Sequence, residues 1–262
     1  MDLAVFSHET PATSADHLVD LLAAHGLRHV QLHGTVRDQA LEDPVAIRRT
    51  FDAAGVVCVG VGAYANLVAP DPTRRRTALD LVRRSLEAVP TLGMPVVATE
   101  TGTLHPMGEW DDDPRNATPE AWDALLAALD ELLPVAEASG ATLALEGYVR
   151  NVLRDLDGFE RLVERYPTRA LGLVADPYNY RLPHGEDVTE SLFARFEDRL
   201  VIAHLKDWMP DGGLPPFGDG TFDQGPYLRL LRERRPDLVP VVEHIELGRM
   251  GEILLRVRQA TA

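Results

Sequence analysis

Four residues with metal-ligand side chains recur through the second half of the chain: Glu146, Asp176, His204 and Glu243, separated by 30, 28 and 39 residues. Each follows a short apolar run, namely Thr142-Leu143-Ala144-Leu145, Ala170 to Ala175, Val201-Ile202-Ala203 and Pro240-Val241-Val242. Three carboxylates and one imidazole form a hard, oxygen-rich donor set. It suits Mn²⁺ first, with Mg²⁺ or Co²⁺ as alternatives, better than a structural zinc. Such an ion polarises a carbonyl oxygen, and a neighbouring glutamate can move a proton. Taken singly, an acidic residue at a strand end reads equally well as a helix cap or a solvated terminus. Taken together the bland reading weakens, because glutamate is a poor cap and a carboxylate after such apolar runs is costly unless paired or metal-bound.

Lys206 belongs to the same constellation. It is the only lysine among 26 basic residues, and it stands two positions past His204. Strand alternation therefore points both side chains to one side. A functional ammonium that binds a substrate oxygen is the preferred reading, and a buried counter-ion for the three carboxylates is the alternative. Asp207 is placed to hold Lys206 or His204, although capping explains it almost as well. Further candidates to line a pocket are His33, Tyr64, Asn66, Glu100 and Asn179, all at or just past strand ends. Each could instead satisfy backbone groups in a loop, and His8, His105 and Trp208 carry less weight still.

To bring the four ligands together, the elements that carry them must converge. Short, mostly apolar runs at 3–7, 29–33, 56–62, 95–100, 142–146, 170–175, 201–205 and 240–244 read as strands buried on both faces. Helical patterns separate them, for example Ser14 to His25, 71–89 and a long helix opened by Thr118-Pro119 and closed by Gly140. Eight β-α pairs in succession predict a single (β/α)8 TIM barrel spanning 1–262 as one domain. The first β-α turn, Ser7 to Pro11, lacks the Gly-x-Gly-x-x-Gly fingerprint of a doubly wound sheet. In a barrel the C-terminal strand ends share one mouth, where the long loops 101–117 and 208–223 would also lie.

Bulk properties narrow the partners. The 262 residues are 45% hydrophobic and 26% charged, the composition of a globular protein. A net charge of -15 opposes phosphate neutralisation, so neither nucleic acid nor an anionic membrane is expected as a partner, and a small molecule is. The single cysteine, Cys58, sits in an apolar run and cannot form an intrachain disulfide. The chain opens on a strand-like Leu3-Ala4-Val5-Phe6 without a basic leader and has no apolar run long enough to span a bilayer. A cytoplasmic location is the expectation.

The order Glu, Asp, His, Glu on the last four strands, with His204-Leu205-Lys206-Asp207 and the later Gly218-Asp219-Gly220, resembles the xylose isomerase-like superfamily of sugar phosphate isomerases and epimerases. The resemblance covers nearly the whole chain. It implies a sugar substrate, an enediolate mechanism, a homodimer or homotetramer, and a divalent metal held by all four residues. Glu146 and Glu243 would double as an acid/base pair, whereas Asp176 and His204 would be ligands only. The chain departs from ketose 3-epimerases at Asn179, where they carry histidine, and at Trp208-Met209-Pro210, where they carry arginine, so their substrate does not transfer.

Three rivals remain at this level. A metal-dependent lyase or dehydratase acting on a keto-sugar or an inosose uses the same enolate chemistry. An endonuclease IV-like repair enzyme shares the barrel but calls for extra histidines and a late His-x-His pair, which this chain lacks. A non-catalytic sugar-binding subunit could keep the barrel and the metal.

Overall fold

A computed structural model describes residues 1–108, 110–180, 187–209 and 213–260. Eight parallel strands close into a barrel in sequence order. They are β1 (Ala4–Phe6), β2 (His29–Leu32), β3 (Val57–Gly62), β4 (Val96–Glu100), β5 (Thr142–Glu146), β6 (Leu171–Ala175), β7 (Leu200–Leu205) and β8 (Val241–Val242). Around them run α1 (Ala15–Ala24), α2 (Gly34–Glu42), α3 (Pro44–Ala54), α4 (Pro72–Leu92), α5 (Pro119–Ser139), α6 (Leu156–Arg165), α7 (Thr189–Phe196), α8 (Gly225–Arg234) and α9 (Met250–Ala260). Among the described residues no helix is long and apolar enough to cross a membrane.

Local signals fix most helix ends. The side chains of Ser14, Asp43, Asp71, Thr118 and Asp155 accept the first free backbone N–H groups of α1, α3, α4, α5 and α6. Proline opens α3, α4 and α5, and Gly140 ends α5 in the left-handed region at φ 70°. The connection between β2 and β3 holds two helices, because Asp43 ends α2 and caps α3 in one step.

Two apolar layers result from strand alternation. Val5, Val30, Val97, Leu143, Leu173, Ala203 and Val242 face the helices. Phe6, Ala98, Ala144, Val174, Ile202 and Val241 belong to the smaller cluster that fills the barrel. Counting two residues onward from the inner positions Ala98, Ala144, Val174, Ile202 and Val241 leads to Glu100, Glu146, Asp176, His204 and Glu243. The same pleat that packs the interior thus carries the polar residues to its C-terminal mouth.

The last strand is shorter than its sequence pattern. Glu243 still donates its backbone N–H to the Leu205 carbonyl at 2.9 Å, but His244 turns away with a φ of 55°. The cause is remote in sequence: the Glu9 carboxylate accepts the backbone N–H groups of His244 at 2.7 Å and Ile245 at 3.1 Å, drawing them out of the ladder.

Candidate metal centre

Glu146 ends β5, Asp176 follows β6, His204 lies within β7 and Glu243 follows β8. One ligand atom from each can be chosen so that all lie within 4.8 Å of one another. The imidazole Nδ1 of His204 stands 2.8 Å from Glu243 Oε1, 3.4 Å from Glu146 Oε2 and 3.8 Å from Asp176 Oδ2. Burial is nearly complete, with Asp176 and His204 at 0% exposure and Glu146 at 4%.

The donor set fits a divalent cation. His204 Nδ1 and Glu243 Oε1 are buried without a hydrogen bond, and Asp176 Oδ2 meets only the Lys206 ammonium, although buried polar atoms are nearly always satisfied. All three atoms face the shared centre. Among the described residues Lys206 supplies the only cationic side chain within salt-bridge distance of the carboxylates besides His204, its Nζ lying 2.8 Å from Asp176, 3.1 Å from Glu243 and 3.6 Å from Glu146. Three carboxylates and one ammonium with a neutral imidazole sum to a charge of about -2, which a divalent ion would cancel.

Protonation follows from this imbalance. Burial opposes the imidazolium of His204, but the charges of Glu146 and Glu243 outweigh it and raise its pKa to about 10. Burial lifts Asp176 to about 7 against the pull of Lys206, with Glu146 and Glu243 adding to the rise. Glu243 resists its burial because Lys206 and His204 hold it down at about 2, and His204 and Lys206 keep Glu146 below the ordinary carboxylate range in the same way. Without a metal, protons on His204 and Asp176 stand in for the missing positive charge.

Above the cluster opens a cavity of about 420 Å³, lined by Glu146, Glu243, Lys206, Asn179, His33, Tyr64 and Tyr148 among others. Phe6, Glu9 and Trp110 complete much of the wall. Asn179 donates its amide to Glu146 and accepts from Lys206 Nζ at 3.3 Å, so it ties a glutamate and the ammonium together. Burial lowers His33 to about 3, which leaves its imidazole neutral. A second cleft of about 670 Å³ shares Tyr64 and Trp110 with the first but contains none of the four ligands.

Among the sequence candidates for the pocket, His8 joins the lining of the smaller cavity, whereas His105, Trp208, Asn66, Asp207 and Glu100 lie outside it. Asn66 braces the loop after β4, accepting from Thr103 N–H at 3.1 Å and donating to the Thr103 carbonyl at 2.8 Å. Asp207 accepts backbone N–H groups from Trp208, Gly218, Gly220 and Phe222 at 2.9 to 3.3 Å, so its carboxylate organises the loop over the mouth. Glu100 is fully buried at the end of β4, in register with Glu146.

Gln31, Glu9 and Tyr148 join the site without having stood out in the sequence. Gln31 carried a signal, because alternation along His29-Val30-Gln31-Leu32-His33 puts it on the same face as His33. Glu9 carried none, since its partners lie more than 230 residues away.

A profile of the family described as xylose isomerase-like TIM barrel matches residues 19–250. Among solved structures, the 3-keto-D-glucoside 4-epimerase from E. coli is similar, with a TM-score of 0.79 and 17% identity over 99% of this chain and 99% of that one. IolI, solved with a bound zinc atom, gives a TM-score of 0.73 and 20% identity over 100% and 96% of the two chains. A xylose isomerase-like TIM-barrel protein from Mycobacterium smegmatis, in complex with magnesium, gives 0.68 and 19% over 95% and 89%. At these identities the likeness is one of fold. A search of curated proteins returned no match.

Proposed function

The chain belongs to the xylose isomerase-like TIM-barrel family, and from that premise we propose that it is a divalent-metal-dependent sugar isomerase or epimerase. Its substrate is a ketose, an aldose or a keto-sugar. The observation that carries this reading is a division within the quartet. Glu146 and Glu243 line the cavity, whereas Asp176 and His204 are sealed beneath it.

Glu146, Asp176, His204 and Glu243 would hold the ion, with Mn²⁺ as the first choice and Mg²⁺ or Co²⁺ as alternatives; the neighbours that carry zinc and magnesium support a divalent site. When bound, such an ion supplies Lewis-acid polarisation of the substrate carbonyl. Glu146 and Glu243 are the two carboxylates that meet both the cluster and the cavity, so each is placed to take or return a proton at the carbon beside that carbonyl. Proton removal gives an enediolate. Return to the former carbonyl carbon, with the hydroxyl proton passing from one oxygen to the other, isomerises the sugar, and return to the opposite face of the same carbon epimerises it. Lys206 holds both glutamates and reaches the cavity, where its ammonium can bind a substrate oxygen. Neutral His33, Tyr64 and Asn179 offer hydrogen bonds to hydroxyl groups, while Asp207 and Asn66 brace neighbouring loop backbone. The E. coli neighbour's name, an epimerase of a keto-glucoside, supports the same class.

Incubating the Mn²⁺-loaded protein with a panel of ketoses and keto-glycosides in deuterated water, followed by NMR, tests the proposal. An isomer or epimer carrying solvent deuterium at the reacting carbon is the expected product. An unsaturated product would replace this reading by elimination, and the absence of any turnover together with simple sugar binding would make the chain a binding subunit.

A further inference from the structure

Gln31 is fully buried in β2, within the barrel and outside the cavity lining, so substrate recognition does not account for it. A primary amide buried there is costly unless its oxygen and its NH₂ group find partners. Its Oε1 lies 3.1 Å from His204 Nε2, and its Nε2 lies 3.5 Å from the Tyr64 hydroxyl. The Tyr64 hydroxyl in turn stands 3.5 Å from His204 Nε2, and the Phe6 ring meets the imidazole edge-on with centroids 5.2 Å apart.

We infer that Gln31 is a positioning residue that fixes the tautomer of His204, keeping a proton on Nε2 so that Nδ1 offers its lone pair to a metal. The inference rests on the reading of the quartet as a metal site. Its logic is electrostatic. Nδ1 faces three carboxylates, which by themselves would attract a proton onto Nδ1, the tautomer that cannot ligate there. The only other ring nitrogen meets the Gln31 oxygen, an acceptor without a proton, while the amide NH₂ is turned to Tyr64. An acceptor opposite Nε2 favours the Nε2–H tautomer, and a hydrogen bond to the non-ligating nitrogen also orients the ring and raises its basicity. Phe6 limits the ring's tilt, so Gln31 and Phe6 together hold Nδ1 on the centre of the cluster.

The test uses Zn²⁺, which is diamagnetic, with Kd measured by chelator competition and ¹⁵N-labelled histidine followed by long-range ¹H–¹⁵N correlation. In the zinc-loaded parent, His204 is expected as the Nε2–H form ligated through Nδ1. Gln31→Leu, which removes the acceptor, weakens zinc binding by about 10- to 100-fold. Gln31→Glu, which keeps an acceptor, matches or exceeds the parent. Ligation of the parent through Nε2, or a Gln31→Leu protein with parental affinity, overturns the inference. The parent spectrum decides even if a variant fails to fold. Failure of the parent to bind zinc, manganese or magnesium would instead defeat the metal reading itself.

Discussion

His204 Nδ1 and Glu243 Oε1 lie 2.8 Å apart, both buried, and neither makes a hydrogen bond. Two polar atoms at that distance would normally align and pair. Here they converge on a point that Glu146 and Asp176 also face, as donors around a common cation do. The arrangement has consequences for proton balance, stability and turnover that can be measured separately.

Metal affinity rises with pH. In the metal-free protein His204 holds its proton up to about pH 10 and Asp176 holds one up to about pH 7. An entering ion displaces both near pH 6, so about two protons leave per ion, falling to about one near pH 8. The sign follows from both pKa values being raised: protons compete below them and cease to compete above them. Calorimetric titration with Mn²⁺ in buffers of different ionisation enthalpy counts these protons, and affinity independent of pH would contradict the charge balance.

Glu146→Gln separates chemistry from metal binding. The amide keeps the shape and one oxygen donor but cannot accept the substrate proton. Turnover is expected to fall by about 10²- to 10⁴-fold, the usual worth of a general base. The ion stays bound, because the amide oxygen can still ligate and the other three donors are intact, so all four positions are kept. Asp176→Ala, in contrast, should lose metal and activity together. Atomic absorption after gel filtration, alongside initial rates, distinguishes the two patterns.

Lys206→Met leaves three buried carboxylates short of a counter-charge. Removing one partner of a buried ion pair costs about 3–5 kcal/mol, so the melting temperature in EDTA should drop sharply. A saturating divalent ion restores most of the loss by supplying positive charge at the same place. Equal melting temperatures for variant and parent in EDTA would show that the ammonium is not the counter-ion seen here at 2.8 to 3.6 Å.

Asp207→Ala tests the loop over the mouth. Four backbone N–H groups lose their acceptor, and hydrogen bonds to a charged group contribute about 1.5–3 kcal/mol each in favourable cases. The expected result is a lower denaturant midpoint and a raised KM with zinc affinity largely kept. Loss of the metal with an unchanged midpoint would move Asp207 into the metal centre itself.

Much of this architecture was legible in the residue order because its signals are local. Apolar runs such as Thr142-Leu143-Ala144-Leu145 and caps such as Ser14 and Thr118-Pro119 act through near neighbours, and the elements they mark, unlike the shortened last strand, fall where those patterns put them. The quartet was visible for a related reason: one ligand-type residue after each of four successive strands is a pattern that alternation and barrel closure turn into proximity. Roles set by distant partners were not visible. Glu9 shortens the last strand by capturing the N–H groups of His244 and Ile245, and Gln31 meets His204 across the barrel from 173 residues away. The type of Asp207 suggested a partner for Lys206, yet the glycine-containing loop supplies four backbone donors that claim its carboxylate.

Anomalous diffraction at the manganese absorption edge, on crystals soaked in Mn²⁺, shows whether the four side chains hold an ion. One anomalous peak per chain is expected, bounded by carboxylate oxygens of Glu146, Asp176 and Glu243 and by Nδ1 of His204, and lost in Asp176→Ala. Crystals saturated with Mn²⁺ that show no peak between these four side chains would contradict the metal reading.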